Sequence, residues 1–360
     1  VLTTALIITF IICCLINVIY WSVVCTPLNL LQDEDGTLSL DSHITILVCS
    51  KNDSENLQSL LLSLDSQINV SNQIEILIVD DYSNAQECDT LSTLESRFPI
   101  RVIKADQDLP GKKAALLTGI KAVSSGIILL TDADCRPRPE WITTLSQQVT
   151  RESAVLGYSP FARRSGSVNL WARYEGFITA IQYLGWAAHG KPYLGVGRSI
   201  ALHSESVKSL SLPDLNPEIA SGDDDMLIQF LHLARPVLRP SASVETDAPQ
   251  SWRAYWRQKR RHYSISPDYH ISHQIRLSLF SVSQILIMVL GITCVVMGVG
   301  HLAATVWCIR LLCIGIISWT TFGRLEQRDL WFLLPILDGL LSIYYLVFGM
   351  TLLLPKPKSW

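Results

Sequence analysis

The sequence predicts an α/β domain on a mostly parallel sheet, with one membrane-spanning helix ahead of it and about three behind it. Three observations carry this reading. Short apolar runs alternate with helical patterns between residues 44 and 134, four long stretches are almost free of charge, and aspartates collect where the apolar runs end. Of 360 residues, 49% are hydrophobic and only 17% charged, so part of the chain belongs in lipid. A net charge of −3 gives no footing for a nucleic-acid partner. The nine cysteines form no CxxC pair and no zinc-spaced cluster. Those in apolar runs (Cys13, Cys14, Cys25, Cys294, Cys308, Cys313) read as small hydrophobes.

The membrane segments come first. Leu2 to Cys25 and Leu277 to Gly300 contain no charged residue. Each is about 24 residues, roughly 36 Å as helix, enough to cross a hydrocarbon core of about 30 Å. Leu302 to Gly323 is interrupted only by Arg310, and Trp331 to Leu354 only by Asp338. The first stretch has no basic n-region and is too long for a cleaved leader, so it reads as an uncleaved anchor. Arg324 and Arg328 lie between the third and fourth stretches, and no Lys or Arg lies between the second and third. The positive-inside rule then puts residues 26–276 on the cytoplasmic side. With four crossings, Lys356 and Lys358 fall outside, against that rule. Arg310 and Asp338 would lie about 10 Å apart in depth, close enough for a buried pair between the last two spans. A path for a polar substrate is the other reading.

Within the polar segment, Ile44 to Ser50 is a buried strand, followed by a helix from about Glu55 to Leu64 with leucines at helical spacing. Ile74 to Ser83 is a second strand ending in Asp80 and Asp81. A helical stretch runs through "TLESRF", then the short strand "IRVIKA". Gly111 to Val123 is a helix, and "GIILLTDAD" the next strand. Asn169 to Gly190 is either an interfacial helix or plain core. Continuous apolar strands alternating with helices mean a sheet covered on both faces, and ligands of such sheets gather at the strands' C-terminal edges. Asp80, Asp81, Asp132 and Asp134 all fall there. Taken alone, Asp132 and Asp134 suit a turn or an N-cap. Taken together, the aspartates suit a divalent cation, since Mg²⁺ and Mn²⁺ prefer oxygen ligands.

Six segments in order across about 44–262 then resemble the membrane-anchored family 2 glycosyltransferases. They are "VCSKNDSENL", "EILIVDDYS", "PGKKAALLTGI", "TDAD", "SGDDDMLIQF" and "QKRRH". The resemblance is closest to ceramide glucosyltransferase-like and small polysaccharide synthase-like members. Two departures stand out. His262 ends the last motif where the family carries Trp, and Gly222-Asp223 stands where it carries Glu-Asp. An ungapped alignment puts the catalytic base at Asp223, and a one-residue slip makes it Asp224.

The resemblance implies the GT-A fold and inverting transfer of a sugar from a nucleotide-diphosphate sugar to a lipid or lipid-linked glycan acceptor at the membrane. It implies that Asp134 holds Mg²⁺ or Mn²⁺, with Asp132 on the metal or on ribose. Asp80 and Asp81 end the nucleoside-binding strand. Arg261 meets the diphosphate, Asp223 acts as general base, and Lys112, Gln258 and His262 line the substrate site. Trp252, Tyr255 and Trp256 would rest at the membrane interface, and Gly195 and Gly197 would let a sugar approach the backbone. The expected boundaries are an anchor over 1–25, the GT-A domain over 26–262, an interfacial amphipathic segment over 263–276 and transmembrane helices within 277–360, at about 277–300, 302–323 and 331–354. The expected location is an integral membrane protein of a bacterial inner membrane, its catalytic domain in the cytoplasm. A processive polysaccharide synthase, or a nucleotide-sugar-binding scaffold or transporter, are the alternatives. Four spans without repeat symmetry are poor material for alternating access.

Overall fold

The computed structural model describes residues 1–32, 43–70, 73–106, 111–124, 126–216 and 221–356. Pro110 and Lys358, both in stretches read above, lie outside them. After helix α1 (Leu2–Leu30), strands β1 (Ile44–Ser50), β2 (Ile74–Asp80), β3 (Ile100–Lys104) and β4 (Ile127–Asp132) form a parallel array in the order β3-β2-β1-β4. β1 and β4 are buried along almost their whole length, which is why both read as unbroken apolar runs. Helix α2 (Ser54–Asp65) covers one face with Leu57, Leu60, Leu61 and Leu64. Helix α3 (Ala85–Leu91) begins at Asn84, whose side chain accepts from the Glu87 N–H at 3.0 Å. The expected helix through "TLESRF" is therefore displaced. Ser96 and the Arg97 N–H both bond to Asp65, at 2.6 and 3.0 Å, which holds that stretch as a turn. Helix α4 (Lys112–Ala122) lies on the other face, where a side chain at Gly119 would collide with Leu47.

The chain continues through β5 (Cys135–Pro137), α5 (Trp141–Ser146), β6 (Ala154–Gly157), α6 (Ser167–Ala188), β7 (Ile200–His203), α7 (Asp223–Leu231), β8 (Ala234–Val237), β9 (Val244–Thr246) and α8 (Trp252–Tyr263). The complete sheet runs β3-β2-β1-β4-β7-β6-β8, with β7 antiparallel to its neighbours, and β5 pairs separately with β9. Helix α6 is core. Phe177 stacks on Phe322 at 3.9 Å, and the Trp186 indole N–H donates to Tyr20 at 3.2 Å, so α6 joins the sheet to the apolar helices.

Those helices are α1, α9 (Ile271–Val296), α10 (Gly300–Arg324) and, after the short α11 (Arg328–Trp331), α12 (Leu334–Thr351). All four long ones are long and apolar enough to cross a membrane. The Arg310–Asp338 pair forms, at 2.7 and 2.9 Å, with further bonds from Arg310 to Asn17 and Gln284. One residue from each of the four helices thus shares a buried polar knot in which Gln284 also donates to Asp338 at 3.0 Å. Removing one charge strands the other, so Arg310→Leu should destabilise by about 3–5 kcal/mol, and Arg310→Leu/Asp338→Leu should recover most of that. Melting curves in detergent check both; equal losses in the single and double variants would contradict the pairing.

The path of α12 differs from a fourth crossing. Along α9 and α12 the contacts run in opposite directions: Gln284 meets Asp338, and Phe280 meets Tyr345 with ring centroids 5.8 Å apart. Since α9 starts at the sheet domain, α12 ends there. Lys356 pairs with Asp268 at 2.8 Å, and Arg260 donates to the Pro355 carbonyl at 3.0 Å. The preceding loop is on that face as well: Glu326 bonds Arg138 at 2.6 Å and Asp329 bonds Arg173 at 2.8 Å. The chain from Glu326 to Lys356 therefore dips into the apolar layer as far as the polar knot and returns. Length and hydropathy cannot separate such a hairpin from a crossing, because α12 alone spans about 27 Å. Lys356 now sits on the same side as Arg324 and Arg328, which removes the conflict with the positive-inside rule. Single cysteines at positions 326 and 356 should therefore label from the same side of the membrane with an impermeant reagent. Labelling from opposite sides would restore the crossing.

Candidate active site

A cleft of about 990 Å³ opens at the C-terminal edge of the parallel strands and extends to α9 and α12. Asp132 is the last residue of β4, and Asp134 lies in the turn into β5, where the Thr246 hydroxyl of β9 donates to it at 3.0 Å. Ligand atoms of Asp132, Asp134 and Cys135 lie within 4.8 Å of one another. Burial, then the neighbouring aspartates, push the Cys135 thiol well above its usual range. It stays protonated and is a poor ligand. The two carboxylates remain, a donor set that fits Mg²⁺ or Mn²⁺.

Lys112, at the start of α4, lies 3.0 Å from Asp132 and 3.5 Å from Asp223. Burial works against its ammonium, but Asp132, Asp223 and Asp224 together hold its pKa well above the ordinary value. Burial likewise opposes the Asp132 carboxylate, and Lys112, Arg198 and Arg261 outweigh it and lower that pKa. A fixed cation is thus what lets aspartates of two elements converge. Lys113 turns away, donating to the Asn216 carbonyl at 2.7 Å.

The three aspartates opening α7 part company. Asp223 faces Lys112. Asp224 accepts from the Gly197 N–H at 2.7 Å, and burial, then Asp223, raise its pKa to about 6. Asp225 accepts from the Tyr269 hydroxyl at 2.6 Å, its pKa well above normal because it is buried beside Asp224. Gly197 thus serves Asp224. Gly195 makes room for protein, since a Cβ there would lie 2.7 Å from Ile200 and Ile228.

Helix α8 presents Gln258, Arg261 and His262 to the cleft. Burial, then Lys259, Arg261 and Arg198, hold the His262 pKa well below normal, so its ring is neutral. On the outer face Trp252 and Trp256 are exposed. Tyr255, expected at the membrane interface, is instead buried, its hydroxyl accepting from the Trp171 indole at 3.0 Å. Asp80 and Asp81 do not line this cleft. Asp80 accepts from the Ser83 N–H at 3.0 Å, and Asp81 accepts from the Gly111 N–H at 3.0 Å and pairs with Lys51 at 3.3 Å, shaping the rim beside it.

Sequence reasoning missed three cleft features. Arg198, over the Phe161 ring at 5.1 Å, sits in a stretch read only for its glycines. Thr246 belongs to no motif. The pair Glu175–Lys259 joins α6 to α8, and a lone acid in an apolar helix was the signal for it.

Residues 45–202 match the family described as Glycosyl transferase family 2, and residues 127–322, more than half of the chain, match Glycosyl transferase family group 2. The dolichol-phosphate mannosyltransferase of Pyrococcus furiosus is 27% identical over 136 residues, 38% of this chain and 38% of that protein. Glycosyltransferase AglE of Haloferax volcanii is 26% identical over 99 residues, 28% of this chain and 33% of that one. The chain thus matches well under half the length of these relatives. Mannosyltransferase PcManGT of Pyrobaculum calidifontis, solved with GDP-Man and Mn²⁺, superposes with a TM-score of 0.59 over 99% of this chain and 100% of that one at 13% identity, which shows a shared fold. With the fold, the apolar helices and the matched families in agreement, the chain belongs to the family 2 glycosyltransferases as a membrane-associated GT-A enzyme.

Proposed function

We propose that the protein transfers a sugar from a nucleotide-diphosphate sugar to a lipid acceptor, with inversion and with a divalent metal, on the cytoplasmic face of its membrane. The observation that carries this is the continuity of the cleft. One end holds Asp132 and Asp134, and the other is walled by Leu277, Ser281, Tyr345 and Leu352 of the apolar helices. An acceptor can then keep its tail among α9 and α12 while its head reaches the donor.

In this reading Asp132 and Asp134 hold Mg²⁺ or Mn²⁺, which would neutralise charge on the leaving diphosphate. Arg261 and Arg198 supply fixed guanidinium donors to the same phosphates. Asp224 is the better general base. Asp223 is committed to Lys112, whereas among the described residues Asp224 has only the Gly197 N–H on one oxygen. Its pKa near 6 suits a proton acceptor at neutral pH. The acceptor hydroxyl gives its proton to Asp224 as its oxygen bonds to the anomeric carbon. The bond from that carbon to the diphosphate oxygen breaks on the opposite side, which inverts the centre. Asp80 and Asp81 shape the nucleoside end, Lys112 and His262 line the sugar, and Gln258 faces the acceptor side of the same cleft.

A panel of nucleotide sugars with and without Mn²⁺, read as thermal stabilisation of the purified protein, tests donor binding. One nucleotide sugar should stabilise more than its free nucleotide, and only with metal. Equal shifts without metal would contradict the assignment of Asp132 and Asp134.

A further inference from the structure

Between the aspartate end of the cleft and the membrane helices stands one buried ion pair that the transfer chemistry does not use. Glu175 of α6 and Lys259 of α8 are in direct contact, both line the cleft, and their side chains are 7% and 8% exposed. Glu175 also accepts from Thr179 at 3.1 Å and from the Tyr344 hydroxyl of α12 at 3.3 Å, while the Lys259 ammonium lies 5.8 Å from the Tyr255 ring centre. One residue away, the Gln258 side-chain oxygen is buried with no hydrogen-bond partner among the described residues.

We propose that Glu175, Lys259 and Gln258 form the subsite for the acceptor's head group and that they select an uncharged, hydroxyl-bearing lipid over a lipid phosphate. This rests on the lipid-acceptor reading and narrows it. The argument is the distribution of charge. Among the described residues lining the cleft, Lys112 pairs with Asp132 and Asp223, and Lys51 pairs with Asp81. Arg198 lies over the Phe161 ring at 5.1 Å, and Phe161 pairs with Thr246, whose hydroxyl holds Asp134, so Arg198 stands at the donor end, where Arg261 is already assigned. Toward α9 and α12 the remaining cation is Lys259, and Glu175 already meets its charge. His262 is neutral, Asp225 is buried with its pKa raised well above normal and adds no charge, and Asp224 adds negative charge at neutral pH. A phosphate monoester carries about −1.5 to −2 at neutral pH. Here it would meet no uncommitted cation and would face carboxylates, at the cost of a buried unpaired charge. A neutral head group avoids that cost. Lys259 keeps N–H donors beyond the one given to Glu175, and the Gln258 oxygen and Glu175 can accept from hydroxyls.

The test offers the purified full chain, with Mn²⁺ and the donor found in the panel, two classes of acceptor: long-chain neutral hydroxyl lipids (a diacylglycerol and a ceramide) and a polyprenyl monophosphate. Wild type should glycosylate a neutral lipid with kcat/KM at least about tenfold above that for the phosphate. Glu175→Gln leaves the Lys259 charge unmatched. It should raise KM for the neutral lipid while kcat changes little, and polyprenyl phosphate should become a competitive inhibitor about tenfold stronger. Glu175→Gln/Lys259→Gln should lose that gained inhibition. A misfolded variant cannot gain an inhibitor, and if the variants do not fold, the wild-type acceptor ratio decides alone. Preference of wild type for polyprenyl phosphate, or unchanged inhibition in Glu175→Gln, overturns the subsite while leaving the lipid-acceptor reading intact. Transfer to neither class overturns both.

Discussion

Asp134→Asn should lower sugar transfer by about 10²- to 10³-fold and leave the protein folded. The rate loss follows from removing one of two carboxylates that would hold the metal, whose charge is worth several kcal/mol in the transition state. The fold survives because Asp134 is exposed in a turn, and its partners, the Thr246 hydroxyl at 3.0 Å and the Cys135 thiol at 3.6 Å, can still donate to an amide oxygen. The melting point without ligand should change little, as for other exposed sites. The stabilisation given by Mn²⁺ and nucleotide together should disappear. Full Mn²⁺-dependent nucleotide binding in this variant would remove Asp134 from the metal site.

Asp224→Asn keeps the shape of the site and removes the proposed base. Turnover should fall by about 10²- to 10⁴-fold. Donor affinity by calorimetry should stay within about threefold, well under the 1.4 kcal/mol of a tenfold change. Asp223→Asn should behave differently. It removes a partner of Lys112, so its effect should appear in donor binding before turnover. The pH profile gives an independent check. With a pKa near 6 in the free protein, Asp224 would be an ionised base above that pH and protonated below it, so kcat/KM should fall about tenfold per unit under pH 6. Loss of turnover in Asp223→Asn alone would return the base to the ungapped alignment. Near-normal turnover in both would make the acidic run a charge cluster favoured by the N-terminus of α7.

What was legible in the sequence follows from how locally it is encoded. The span Ile44 to Ser50 was expected as a strand and is β1, because a strand buried on both faces must be apolar throughout. Asp132 and Asp134 announced themselves by ending such a run. The helix at Ala85–Leu91 was less visible: its cap, Asn84, is a single residue, and the expected helix after it is a turn tied to Asp65, 31 residues away. Arg198 and Thr246 reach the cleft only through tertiary packing, so neither carried a local signal. The path of α12 depended on the direction of a neighbouring helix, which hydropathy does not contain. Lys356 held the clue, since a lysine on the wrong side was the one feature at odds with four crossings.

If the cleft joins a nucleotide-sugar site to the membrane, sugar should pass from a soluble donor into lipid. The full chain in detergent, with Mn²⁺, extracted membrane lipid and the nucleotide sugar that stabilises it, labelled in the sugar, should move label into the organic phase. EDTA should stop that transfer and added Mn²⁺ should restore it. Label that passes only to water-soluble glycans, or that enters the organic phase at the same rate with and without metal, would contradict the account.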